Sequence, residues 1–143
     1  MANSGILKVL VFGGAIVGLG IFAFWRNAAQ HPRTPLAEII VPQLSAEAQA
    51  GEAAFNENCA TCHGRNGAGT EQGPPLIHNI YNPGHHADMA FHLAVQRGVP
   101  QHHWPFGNMP AQPQVSREDV DKIITYVREV QAANGIQFKK HQM

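Results

Sequence analysis

Two cysteines and the histidine that follows them constrain this chain more than any other feature. The 143 residues contain two Cys, and both fall in Cys59-Ala60-Thr61-Cys62-His63. Thiols three positions apart lie on one helical turn, and the next residue sets an imidazole beside them. Such thiols can add to the two vinyl groups of a porphyrin while the imidazole reaches its iron, which is the chemistry of c-type haem attachment. The rival uses of C-x-x-C lack their partners. A structural zinc site needs further Cys or His at ligand spacing, and there is no third Cys. A thioredoxin-type dithiol needs a βαβ setting, and no strand pair is evident. The expectation is one covalent haem c, tethered by Cys59 and Cys62, with His63 on the iron.

A second axial ligand must come from elsewhere. Methionine sulfur is a common partner to His in electron-transfer haems and raises the potential. Met89 sits in an amphipathic segment, where Met usually fills a core. Met109 sits in a loop with Pro105, Pro110 and Pro113, which present it as the favoured sixth ligand. His102 or His103 is the next alternative. The metal ligands expected are therefore His63 and Met109.

Nine His is a surplus. His85, His86, His102 and His103 lie in two pairs, and with nearby Met89 they could hold copper. The plainer reading is that they cap helices, face solvent or contact the haem carboxylates.

The rest of the chain divides readily. Residues 6–26 hold an apolar run interrupted by Lys8 alone and closed by Trp25, long enough for a transmembrane signal anchor. No good small-x-small cleavage site follows it. Residues 27–44 carry Pro32, Pro35 and Pro42 and read as a semi-rigid linker whose Ile39-Ile40-Val41 could dock on the domain. Residues 45–135 read as an all-α domain with long loops. Ser45 caps an Ala-rich helix, and Gly51 and Phe55 share one of its faces. His86 to Gln96 reads as a second helix, stopped by Gly98 and Pro100. Ser116 with Asp119 opens a third, in which Val120, Ile123, Ile124, Val127 and Val130 form one stripe with Tyr126 on its flank. The helix ends near Asn134-Gly135. Residues 136–143 form a tail. A domain this small gains from a large apolar cofactor at its centre.

Charge excludes one partner class. From Thr34 onward, ten acidic residues face seven Lys/Arg, an excess of three negative charges. Such a surface repels phosphate backbones, so no nucleic-acid partner is expected.

The segment from Ser45 to Ala133 resembles a class I cytochrome c domain. The matching features are Gly51 and Phe55, the Cys59–His63 motif, Gly73-Pro74-Pro75-Leu76, Asn108-Met109-Pro110, and Ile123 to Val127. The resemblance implies a helical wrap around one haem, with the first and last helices crossing at Gly51 and Phe55 against Tyr126. It implies that the Pro74 carbonyl orients the ligand His63, and that Arg97, just before Gly98, meets a haem propionate. His78 stands where the family usually has Gly.

The expected function is a membrane-tethered mono-haem electron carrier between redox protein partners. With both axial positions filled, no enzymatic activity and no small-molecule substrate are expected. Covalent haem attachment is made outside the cytoplasm, so the expected location is a bacterial inner membrane, single-pass, with the N-terminus cytoplasmic and the haem domain in the periplasm. The alternatives are a dedicated haem subunit of a larger dehydrogenase or oxidase, and a copper-binding protein built on the His-rich loop.

Overall fold

Ser45 starts the first helix as the sequence predicts: its Oγ accepts from the Ala48 N–H at 3.2 Å. The computed structural model describes residues 38–140. The expected membrane anchor, residues 6–26, and the linker up to Ala37 lie outside the described residues. Among the described residues, no helix is long and apolar enough to cross a membrane.

Four helices carry the fold: α1 (Ala46–Asn58), the single turn α2 (Ala60–His63), α3 (Asp88–Arg97) and α4 (Arg117–Ala133). Short 3-10 turns occupy Arg65–Gly67 and Asn79–Tyr81. The described residues hold no strand, only an isolated antiparallel bridge between Val99 and Met109. The all-α expectation holds for this region.

Helices α1 and α4 cross at Gly51. A Cβ there would overlap the Lys122 carbonyl, so hydrogen is the only side chain that permits this approach. One turn on, Phe55 meets Tyr126 with ring centroids 5.5 Å apart. Both are essentially fully buried, and each contributes roughly 1.5–3 kcal/mol by leaving water. All five residues of the predicted α4 stripe are buried, and Tyr126 with them. Ser116 caps α4, accepting from the Asp119 N–H and donating to its carboxylate at 2.7 Å.

The sequence did not single out the polar half of α4. Gln131 is 1% exposed, and its Nε2 donates to the Leu76 and Tyr81 carbonyls. Its Oε1 accepts from Arg128 at 2.7 Å. Arg128 also donates to the Tyr81 and His86 carbonyls and to Asp88, and lies over the Phe91 ring. Loop carbonyls with no ladder to join need such donors, and these two side chains fasten residues 76–91 to α4.

Two local features differ from the sequence expectation. Helix α3 begins at Asp88, not His86, because the His86 N–H closes a turn onto the Asn82 carbonyl and its ring bonds back to Ile80. Met89, expected in the core, is 54% exposed, and Leu93 is exposed too. The end of the linker packs onto the domain, as its Ile39-Ile40-Val41 run suggested. Ile39 joins the core, and Ile40 exchanges two hydrogen bonds with the Asn134 side chain.

Candidate haem site

The Cys59–His63 motif continues α1 across a kink. Cys59 ends α1, its N–H still bonded to the Phe55 carbonyl, with φ −120° and ψ −32°. The His63 N–H then bonds to the Cys59 carbonyl at 2.9 Å. The loop that follows folds back on this turn. Thr70 Oγ1 donates to the Cys62 carbonyl at 2.6 Å, and the Leu76 N–H reaches Gly67 at 2.8 Å. This return path brings the Pro74 carbonyl to 2.9 Å from His63 Nδ1.

That contact sets the tautomer. A carbonyl oxygen only accepts, so Nδ1 must carry the proton and Nε2 keeps its lone pair. Burial pushes the ring's pKa down, and the bond to Pro74 offsets part of the drop. The result is a neutral imidazole with one oriented lone pair, the form a metal ligand requires.

A cavity of about 390 Å³ opens beside this ring, within the ~300–1,000 Å³ span of cofactor sites. Its wall is overwhelmingly apolar and includes Phe55, Leu76, Phe91 and Ile123. Cys59, His63, Pro74 and Met109 all line it. Four of the sequence candidates, drawn from 50 residues of chain, thus meet at one void. Cys62 is exposed beside it. Arg97 ends α3 on the exposed surface and is absent from the lining, as is Met89.

Cys59 does not have the character of a redox-active thiol. Burial, and then the neighbouring Cys62, push the Cys59 thiol up to about 11. A catalytic dithiol needs the opposite, a thiolate stabilised below its ordinary pKa.

Two lining residues escaped the sequence reading. Trp104 Nε1 is buried and makes no hydrogen bond of full geometry, although it interacts with the Tyr81 phenol. Burial raises the Tyr81 phenol above its ordinary value, and the nearby Trp104 indole offsets part of that rise. A poorly satisfied N–H on a mostly apolar wall costs up to about 1–3 kcal/mol. It calls for an acceptor supplied by whatever fills the cavity, and a haem carboxylate is such an acceptor. His78, the departure from the family pattern, supports this wall: its Nδ1 accepts from the Ile80 N–H and its ring meets Trp104 edge-on.

An apolar cavity with a thiol on its wall, a second thiol beside it, a tautomer-locked imidazole and a thioether defines a c-type haem protein. The cytochrome c family model matches residues 48–131, more than half of the chain. The protein belongs to the cytochrome c family, carries covalent haem c and is a haem-based electron carrier. Neither the curated proteins nor the solved structures provide a match.

Proposed function

We propose that this chain is a membrane-tethered carrier with a single haem. Cys59 and Cys62 provide the thioether links, and His63 Nε2 and Met109 sulfur serve as the axial ligands. The bound haem supplies the one-electron Fe(II)/Fe(III) couple. The observation that carries this assignment is the convergence of Cys59, His63, Pro74 and Met109 on one apolar cavity. Pro74 holds the His63 ring in orientation, and the apolar wall excludes water. Trp104 and Tyr81 offer donors to a propionate. Two occupied axial positions leave the iron no site for a substrate, which supports a carrier rather than an enzyme.

The tether rests on the sequence: the apolar run closing at Trp25 has the length of a bilayer span. It keeps the domain at high local concentration beside redox partners on the periplasmic face of the inner membrane. The acidic excess after Thr34 suits partners that present Lys and Arg.

Expression of the full chain with a c-haem maturation system tests both parts. The protein should fractionate with membranes, need detergent for release and keep its haem stain on a denaturing gel. Haem extractable by acidified solvent would overturn the covalent assignment. A soluble periplasmic protein that begins near Gln30 would overturn the tether.

A further inference from the structure

Four histidines that were two separate pairs in the sequence form one cluster in space. The turn at residues 82–86 delivers His85 and His86, and the loop after the Val99 bridge delivers His102 and His103. Ring centroids of His85 and His103 lie 5.2 Å apart, those of His86 and His103 5.3 Å, and those of His102 and His103 4.3 Å. One ligand-type nitrogen from each of His85, His86 and His103 lies within 4.8 Å of the others. We propose that His85, His86 and His103 form a binding site for a divalent transition-metal cation, Cu²⁺ above all, separate from the haem iron.

Three features of the cluster suit this chemistry. His85 Nε2 and His103 Nε2 are 3.2 Å apart. Two imidazoles on one cation, with metal–nitrogen bonds near 2.0–2.1 Å, place their nitrogens about 2.8–3.4 Å apart, from cis tetragonal to tetrahedral geometry. The pair already has that spacing. At this distance one ring donates its proton to the other. A cation replaces it when that proton moves to the other nitrogen of its ring.

His86 is oriented by the device seen at His63. Its Nδ1 lies 2.8 Å from the Ile80 carbonyl, so Nδ1 donates and Nε2 keeps its lone pair. Arg128, bonded to the His86 carbonyl at 2.6 Å, fixes the backbone behind it. The crowding also keeps rings neutral: desolvation and the neighbouring histidines lower the pKa of both His86 and His103.

The donor set selects the metal. Imidazole without thiolate or carboxylate suits Cu²⁺, Zn²⁺ and Ni²⁺, and among them Cu²⁺ binds most tightly to a nitrogen site. His103 is exposed, so a cation can enter from solvent and keep water in its remaining positions. Two of the three rings, His86 and His103, also line the cavity assigned to the haem, so the inference rests on the proposed His63–Met109 ligation, in which His103 does not serve the haem iron.

The test uses the haem-loaded full chain in detergent, titrated with CuCl2 and, in parallel, ZnCl2. Loading the haem first removes Cys59, Cys62 and His63 from competition. Calorimetry should show one tight Cu²⁺ per haem, displaced less readily by Zn²⁺ than the reverse. The Cu²⁺ paramagnetic resonance spectrum should show coupling to nitrogen. His85→Ala and His103→Ala should each weaken Cu²⁺ at least about 10-fold, the scale on which even an outer partner of a ligand matters. An unchanged haem spectrum in both variants shows that they fold. His92→Ala should leave Cu²⁺ binding unchanged, because His92 pairs with Asp121 at 2.9 Å and lies outside the cluster. Absence of tight Cu²⁺ binding overturns the site, as does affinity that survives both His85→Ala and His103→Ala.

Discussion

Val99 and Met109 exchange two backbone hydrogen bonds, each 2.9 Å long. This pair holds Met109 at the cavity wall at both its N–H and its carbonyl. Gly98, with φ 73°, packs so closely on the Met109 carbonyl that a Cβ would overlap it. In the proposed ligation the thioether is a weak ligand, and its backbone is held by Gly98 and Val99, which line the same cavity.

Methionine ligation has a spectroscopic consequence. The ferric protein should show the weak near-infrared band of sulfur–iron ligation. Met109→Ala should abolish it, lower the potential and open the iron to carbon monoxide or cyanide. Met89→Ala should leave the band in place and change stability by no more than about 0.5 kcal/mol, as for an exposed side chain. Gly98→Val should weaken the band although it removes no ligand. A band that persists in Met109→Ala would sink the assignment.

Trp104→Phe separates the indole ring from its N–H. If that N–H meets a haem carboxylate, its loss should lower the stability of the haem-loaded protein by about 1–3 kcal/mol. It should also lower the potential, since the carboxylate charge is then less well balanced beside the iron. Denaturant titration and potentiometry read the two effects. No change in either would place the N–H elsewhere.

At Gly51 two effects oppose. Ala is the better helix former by about 1 kcal/mol. The methyl would meet the Lys122 backbone, which cannot swing away as a side chain can. Overpacking of this kind costs about 1–3 kcal/mol, occasionally more. Gly51→Ala should therefore be net destabilising, with a lower midpoint in urea. A stabilised variant would show that α1 and α4 separate easily.

Tyr126 predicts an alkaline instability. Burial, and then Glu52, push its phenol up to about 12, with Arg65 opposing. In the unfolded chain it ionises near the ordinary 10. Above that pH the unfolded state loses its proton while the folded state keeps it, so stability falls as pH rises from about 10 to about 12. A shift of two units is worth up to roughly 3 kcal/mol. Tyr126→Phe should flatten this part of the stability–pH curve, measured by denaturant unfolding. An unchanged slope would assign the loss to other groups, Tyr81 first.

The helices were legible where local rules and packing agree. Ser45 and Ser116 are caps in sequence and in space, and the α4 stripe has the period of the face it buries. The Cys59–His63 motif was legible because its chemistry dictates its spacing. What escaped depends on contacts distant along the chain. Gln131 reads as a surface residue until it meets carbonyls 55 and 50 positions away. Trp104 reads as one aromatic in a Pro-rich loop until that loop folds over the cavity. Met89 misled in the other direction, because the outward face of α3 carries apolar residues too.

The two cysteines differ in a way that matters for electron exchange. Cys59 lines the interior and Cys62 is exposed. A haem held through both would have its Cys59 link against the apolar wall and its Cys62 link near the surface. Tunnelling falls off exponentially with separation, so a partner that docks against the Cys62 margin need not penetrate the protein. The carrier can then pass its electron without opening, and the same rigid packing that excludes water also keeps the reorganisation on each transfer small.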